Sequence, residues 1–235
     1  MIASSDRAFP LGLGLAALQT FRMPSRRKQS PLERGERVYL RRPTAADAKE
    51  VIGTVRASRD LHRSWVYPTD TRTAFDGYIR RNRESDFVGL LICRRSDDRI
   101  IGMANLSQIF RGNLQGAYLG FWASSEFAGQ GYMTEGLRLV LHFAFKRLRL
   151  HRLEANVQPE NKKSKALIRR SGFRYEGFSP RYLKVGGKWR DHERWAIVAE
   201  EVKSGMGKAG PDHLDELDAG NRLGPRQART RRVEG

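Results

Sequence analysis

The chain has 235 residues, 39% of them hydrophobic, enough for one sizeable core in one domain or two. Its single cysteine excludes an intramolecular disulfide and points to a reducing, cytoplasmic setting; the lack of any run of about eighteen apolar residues excludes a membrane-spanning helix. Of the formal net charge of +18, the first 35 residues carry +4 and those from 204 onward +1, which leaves +13 between them. That surface favours acidic partners, the ribosome and RNA among them, although a generally solvated basic surface accounts for it equally well.

Residues 1–34 read as a flexible N-terminal extension, with Met23 an alternative start, and 204–235 as a disordered C-terminal tail of Gly, Pro, Asp and Arg without periodicity. Between them, 35–203 form a single domain. Its elements begin with a strand at 37–41 and a helix at 44–59, which Thr44 caps with Asp47 in the third helical position. A helix at 74–84 follows. Strands at 88–94 and 100–110 flank the turn 96–99, and Cys93 lies in the first of them as a packed core residue. The next strand, 117–123, alternates Ala117, Leu119, Phe121 and Ala123 with Tyr118, Gly120 and Trp122; Gly120 marks a bulge or a backbone that a ligand approaches.

Beyond it, Met133, Leu137, Val140, Leu141, Ala144 and Leu148 recur at three- and four-residue steps and predict a helix of about four turns. A strand at 152–157, a helix at 161–170 stopped by Gly172, and a hairpin turning at Gly186-Gly187 complete the order β, α, α, β, β, β, α, β, α, β, β. The class is α/β in the α+β sense, a mixed, mostly antiparallel sheet with flanking helices.

The turn Glu126-Phe127-Ala128-Gly129-Gln130-Gly131 joins strand to helix. Gly129 and Gly131 reach positive φ freely, and the first-turn amides of Tyr132, Met133 and Thr134 have no partner inside the helix. Free N–H groups thus converge where the helix dipole also favours an anion, a diphosphate site that requires no metal. On the glycines alone, an ordinary loop before a helix stands equally open. Two rival phosphate motifs fail on spacing. A P-loop on Gly131 and Gly136 has Leu137 and Arg138 where lysine and a hydroxyl belong, and a dinucleotide fingerprint on Gly129 and Gly131 meets Thr134 where a small residue belongs, despite Glu154 about twenty positions on.

The element order, Gly129-Gln130-Gly131-Tyr132 after the fourth predicted strand, and Asn161-Lys162-Lys163-Ser164 opening the later helix resemble the GNAT acetyltransferases over 37–198. With Ile100-Ile101-Gly102-Met103-Ala104-Asn105, Tyr118-Leu119-Gly120, Pro159-Glu160 and Gly187-Lys188-Trp189-Arg190-Asp191-His192, the likeness is to the ribosomal-protein-alanine N-acetyltransferases. The resemblance implies acetyl-CoA as cosubstrate, held where the fourth and fifth strands splay. Main-chain groups of Phe121 and Ala123 would pair with the pantetheine, and amides of Gly129, Gln130, Gly131, Tyr132, Met133 and Thr134 would hold the diphosphate. Asn161 would steady the pantetheine and Ser164 protonate the departing thiolate, although both also suit a helix start. Glu126 departs from the Gln or Arg usual three residues before the first glycine, and its carboxylate would repel the diphosphate unless it points to solvent.

The resemblance further implies direct attack by an amine in a ternary complex, the acceptor being a protein N-terminus, an alanine of a ribosomal protein, small-subunit protein S5 in the family. At pH 7 deprotonation costs about 1.4 kcal/mol for an α-amine and about 4.6 for lysine, which favours the former. A small amine, an antibiotic or a lysine remains an alternative acceptor, and a ribosome- or RNA-binding module without turnover an alternative class. For the base the sequence offers Glu154 and Asn156 on one strand face, Asn156 as holder of a water, and the cluster Asp191, His192, Glu193. Trp65, Tyr67, Tyr118, Tyr182 and Trp189 are candidates to line the acceptor groove.

Overall fold

The computed structural model describes residues 30–205, with side chains through 202; the rest of the expected extension and tail lie outside the described residues. The strands are β1 (Glu33–Arg34), β2 (Val38–Arg41), β3 (Phe87–Arg94), β4 (Ile100–Phe110), β5 (Gly116–Ala123), β6 (Arg152–Val157), β7 (Arg174–Val185) and β8 (Lys188–Val198). They form one sheet ordered β1-β2-β3-β4-β5-β6-β8-β7. Every neighbour is antiparallel except β5 and β6, the predicted fourth and fifth strands.

Helices cover both faces. On one side α4 (Tyr132–His142) and α5 (Lys162–Arg170) set Leu137, Val140, Leu141 and Ile168 against Leu90, Ile92, Leu119, Leu153 and Trp195. On the other, α1 (Ala48–Ala57), α2 (Arg59–His62) and α3 (Arg72–Arg81) bring Val51, Val55 and Phe75 onto Leu91, Cys93, Met103 and Trp122. Coverage on both sides explains why β3 is an unbroken apolar run rather than an alternating one. Leu90, Ile92, Leu137 and Val140 are 0% exposed, and each contributes about 1.5–3 kcal/mol of burial. Cys93 is buried, and burial pushes its thiol up to about 11, so it packs rather than reacts.

Several local features differ from the sequence reading. Strand β1 lies inside the segment read as extension, where Leu32 N donates to Leu40 O at 2.8 Å and Glu33 bridges His142 and Arg147. The helix expected from Thr44 starts as a 3-10 turn at Ala45–Asp47, continues as α1 and breaks before α2. Asp47 reaches back to Thr44 N at 2.7 Å while also holding both terminal nitrogens of Arg41 at 2.8 Å. Helix α4 passes into a π turn at Phe143–Arg147 instead of running on as α-helix, with Leu148 N bonded to Phe143 O. Gly120 is in regular register with Asn105, and the β4–β5 bulge falls between Ser107 and Phe110. A further helix, α6 (Ala199–Gly205), follows β8.

Candidate active site

Strands β5 and β6 pair only from Gly116↔Arg152 to Tyr118↔Glu154 and then part. Because Ser124 N donates to Ile101 O, alternate residues of β5 turn their polar groups to β4, and Leu119, Phe121 and Ala123 turn theirs into the gap. Phe121 therefore offers both its N–H and C=O. Ala123 offers its N–H alone, since His62 Nε2 donates to its carbonyl at 2.9 Å. Burial lowers the His62 pKa, which keeps the ring neutral with the proton on Nε2, and the ring packs edge-on against Trp122. Gly120 is exposed, and a Cβ there would meet nothing within 4 Å, so the backbone is open to a ligand.

The cradle stands at the open end of this gap. Gly129 and Gly131 have φ of +77° and +80°, the left-handed values that glycine tolerates, and Gly131 is the N-cap of α4. Helix bonding starts with Glu135 N on Gly131 O, which leaves the amides of Tyr132, Met133 and Thr134 without helix partners. Arg37 supports the loop from below: its Nη1 donates to Gln130 O at 3.1 Å, its Nε to Glu135 at 3.0 Å, and its guanidinium lies 4.7 Å from the Tyr132 ring. Glu126, the residue at odds with an anion site, is engaged end-on by both terminal nitrogens of Arg99, whose hydrogen bonds hold its carboxyl below the usual range. Its charge is thus matched locally.

Asn161 Oδ1 accepts from Ser164 N at 3.1 Å and so caps α5. The Ser164 hydroxyl has no partner among the described residues and is free to act. Asn156 alternates with the core-facing Ala155 and Val157, so its side chain lies on the face opposite α4 and α5. Ser164 and Asn156 thereby flank the opened sheet from its two sides. Asn156 Oδ1 is buried and has no hydrogen-bond partner among the described residues.

On the Asn156 face, the neighbouring Tyr182 hydroxyl and burial together raise the Tyr118 pKa to about 12, so Tyr118 stays protonated near neutrality. Gln158 Nε2 donates to Ser64 O at 3.2 Å and draws the segment after α2 over the end of β6; Tyr67 of that segment packs on Gly186 at the hairpin turn. Trp189, 61% exposed, alternates with Arg190 and turns away. The acidic candidates are structurally committed. Glu154 accepts from Arg152 at 2.8 Å, Asp191 accepts from Arg181 N, and Glu193 binds Lys165 and Trp195. His192 is buried, lowered in pKa by that burial, and donates from Nδ1 to Arg190 O. Sequence reasoning missed His62, Arg37 and Arg99, whose partners lie 61, 93 and 27 residues away and leave no local signal.

A half-open strand pair beside a helix start whose amides lack helix partners is the arrangement that the acetyltransferase resemblance implied. Among the described residues no group of three metal-ligating side chains occurs, and no helix is long and apolar enough to cross a membrane. Residues 37–174 match the acetyltransferase (GNAT) domain family, and the chain belongs to that family. It is an N-acetyltransferase, with acetyl-CoA as cosubstrate. It is 35% identical over 173 residues to the probable N-acetyltransferase YjcK of Bacillus subtilis, covering 70% of this chain and 96% of that one. Over 109 residues it is 36% identical to the [ribosomal protein uS5]-alanine N-acetyltransferase of Escherichia coli, covering 46% of this chain and 56% of that one. The solved structure of Mycobacterium smegmatis RimJ in complex with CoA-disulfide superposes with a TM-score of 0.65 at 32% identity, over 70% of this chain and 83% of the other.

Proposed function

We propose that the protein acetylates the α-amine of a protein N-terminus, a ribosomal protein's terminal alanine, with uS5 the first candidate. The observation that carries the reading is the open β5–β6 gap flanked by the free Ser164 hydroxyl and by Asn156, an arrangement suited to a tetrahedral step between an amine and a thioester. The Escherichia coli relative named for ribosomal-protein acetylation supports the acceptor class.

In this reading the amides of Gly129 to Thr134 bind the diphosphate, with Glu126 neutralised by Arg99. Phe121 and the Ala123 N–H align the pantetheine as an added strand, and Asn161 fixes the start of α5 beside it. Asn156 Oδ1 accepts an N–H of the neutral amine, or of a water, and orients the attack. The new bond joins nitrogen to the acetyl carbon as the carbon–sulfur bond breaks; Ser164 gives its proton to the sulfur and regains one from the ammonium nitrogen through solvent, so that amide and free thiol are the products. No carboxylate is required, because an α-amine is already about one-tenth neutral at pH 7.

Incubating the protein with labelled acetyl-CoA and dissociated ribosomal proteins, then sequencing the labelled peptides, tests this. Label on a terminal amine supports the proposal; label confined to lysine side chains or free small amines defeats it.

A further inference from the structure

Asn156 Oδ1 and Arg190 Nε are the side-chain polar atoms recorded as buried without a partner among the described residues. They lie on one face of the sheet. Asn156 stands opposite Arg194 in the β6–β8 ladder, and Arg190 follows on the same side of β8 with His192 between. A buried polar atom left unpaired costs about 1–3 kcal/mol, so two on a single face mark a place where a ligand supplies the missing partners.

The pair has a polarity and a spacing. Asn156 presents an acceptor, Arg190 a donor, and a strand rise of about 3.3 Å per residue puts their positions about 13 Å apart along β8. An extended peptide offers the complementary set: an amine at its first residue and carbonyl oxygens three to four residues on. The covering element fits the same occupant. The β7–β8 ladder breaks between Ser179 and Leu183; within the break Arg181 has a φ of +48° and the Tyr182 ring packs edge-on against His192, 6.3 Å between centroids. Tyr182 thereby lies over the face that His192 and Arg190 share.

We infer that Arg190 is the residue that reads the acceptor chain beyond its first residue, donating to a backbone carbonyl of the third or fourth residue while Asn156 holds the α-amine. This rests on the protein-amine reading above. It makes an ordered peptide, and not the terminal residue alone, the unit that is recognised.

The test is kcat/KM for a series of alanine-led peptides of two to six residues, with Arg190→Ala and with Arg190→Lys, which keeps the charge but lacks Nε. Wild-type protein is expected to gain about tenfold between two and five residues, and Arg190→Ala to lose that gain, with Arg190→Lys recovering only part. Calorimetric binding of acetyl-CoA by each variant verifies that it is folded. An undiminished length dependence in a folded Arg190→Ala overturns the inference while leaving the N-terminal reading intact. Acetylation of none of the peptides overturns both.

Discussion

Gly131 carries the hardest constraint at the cradle: its φ of +80° disfavours any side chain, and a Cβ would come within 3.2 Å of Arg37 Nη2. Gly131→Asp adds a carboxylate where the diphosphate is read to sit, and calorimetry is expected to show acetyl-CoA affinity reduced at least about thirtyfold. Affinity within threefold of wild type would remove the diphosphate from this turn. Ser164 tests the other end of the reaction. Replacement by alanine is expected to lower kcat about a hundredfold with little change in the acetyl-CoA KM, as for loss of a general acid; an unchanged kcat would assign the hydroxyl no part. At this scale the positive φ of Gly129 and Gly131 and the Asn161 cap of α5 were readable because they are local. Glu126 was not, since nothing near it in the chain announces Arg99.

Among the elements, the clasp of Arg41 on Asp47 fastens the turn before α1 to the end of β2. Burial alone would raise the Asp47 pKa, but the bonds from Arg41 and Thr44 prevail and hold it below the usual carboxylate value. A depressed carboxylate stabilises the fold above its unfolded pKa of about 3.9, and that stability is lost as pH falls through the lower folded value. Asp47→Asn leaves the Arg41 charge buried and is expected to cost about 3–5 kcal/mol at pH 7 in denaturant titrations. The loss should shrink toward acid pH; a loss independent of pH would mean that packing, not charge, is at stake. Arg152–Val157, with clear alternation, and Ile100–Phe110, set off by turns at both ends, agree with their sequence bounds. Two-residue β1 has no room for a period, and the π turn after α4 keeps an apolar pattern that spacing cannot separate from α-helix. The parting of β5 from β6 came through family likeness, because the absence of pairing has no sequence signature.

For the molecule as a whole, the +18 charge is mostly borne by the segment between residues 35 and 204, and a field of that sign draws in polyanions. Retention on ribosomal RNA is expected to fall steeply with added salt and to survive Gly131→Asp, which would separate docking from catalysis. No retention even at low salt would leave the charge a role in solubility alone. The account depends most on where the diphosphate lies. Backbone amide shifts followed by NMR during titration with CoA test this directly: the largest changes are expected at Gly129, Gln130, Gly131, Tyr132, Met133 and Thr134, with smaller ones at Phe121 and Ala123. Saturable binding that leaves those amides unmoved would contradict it.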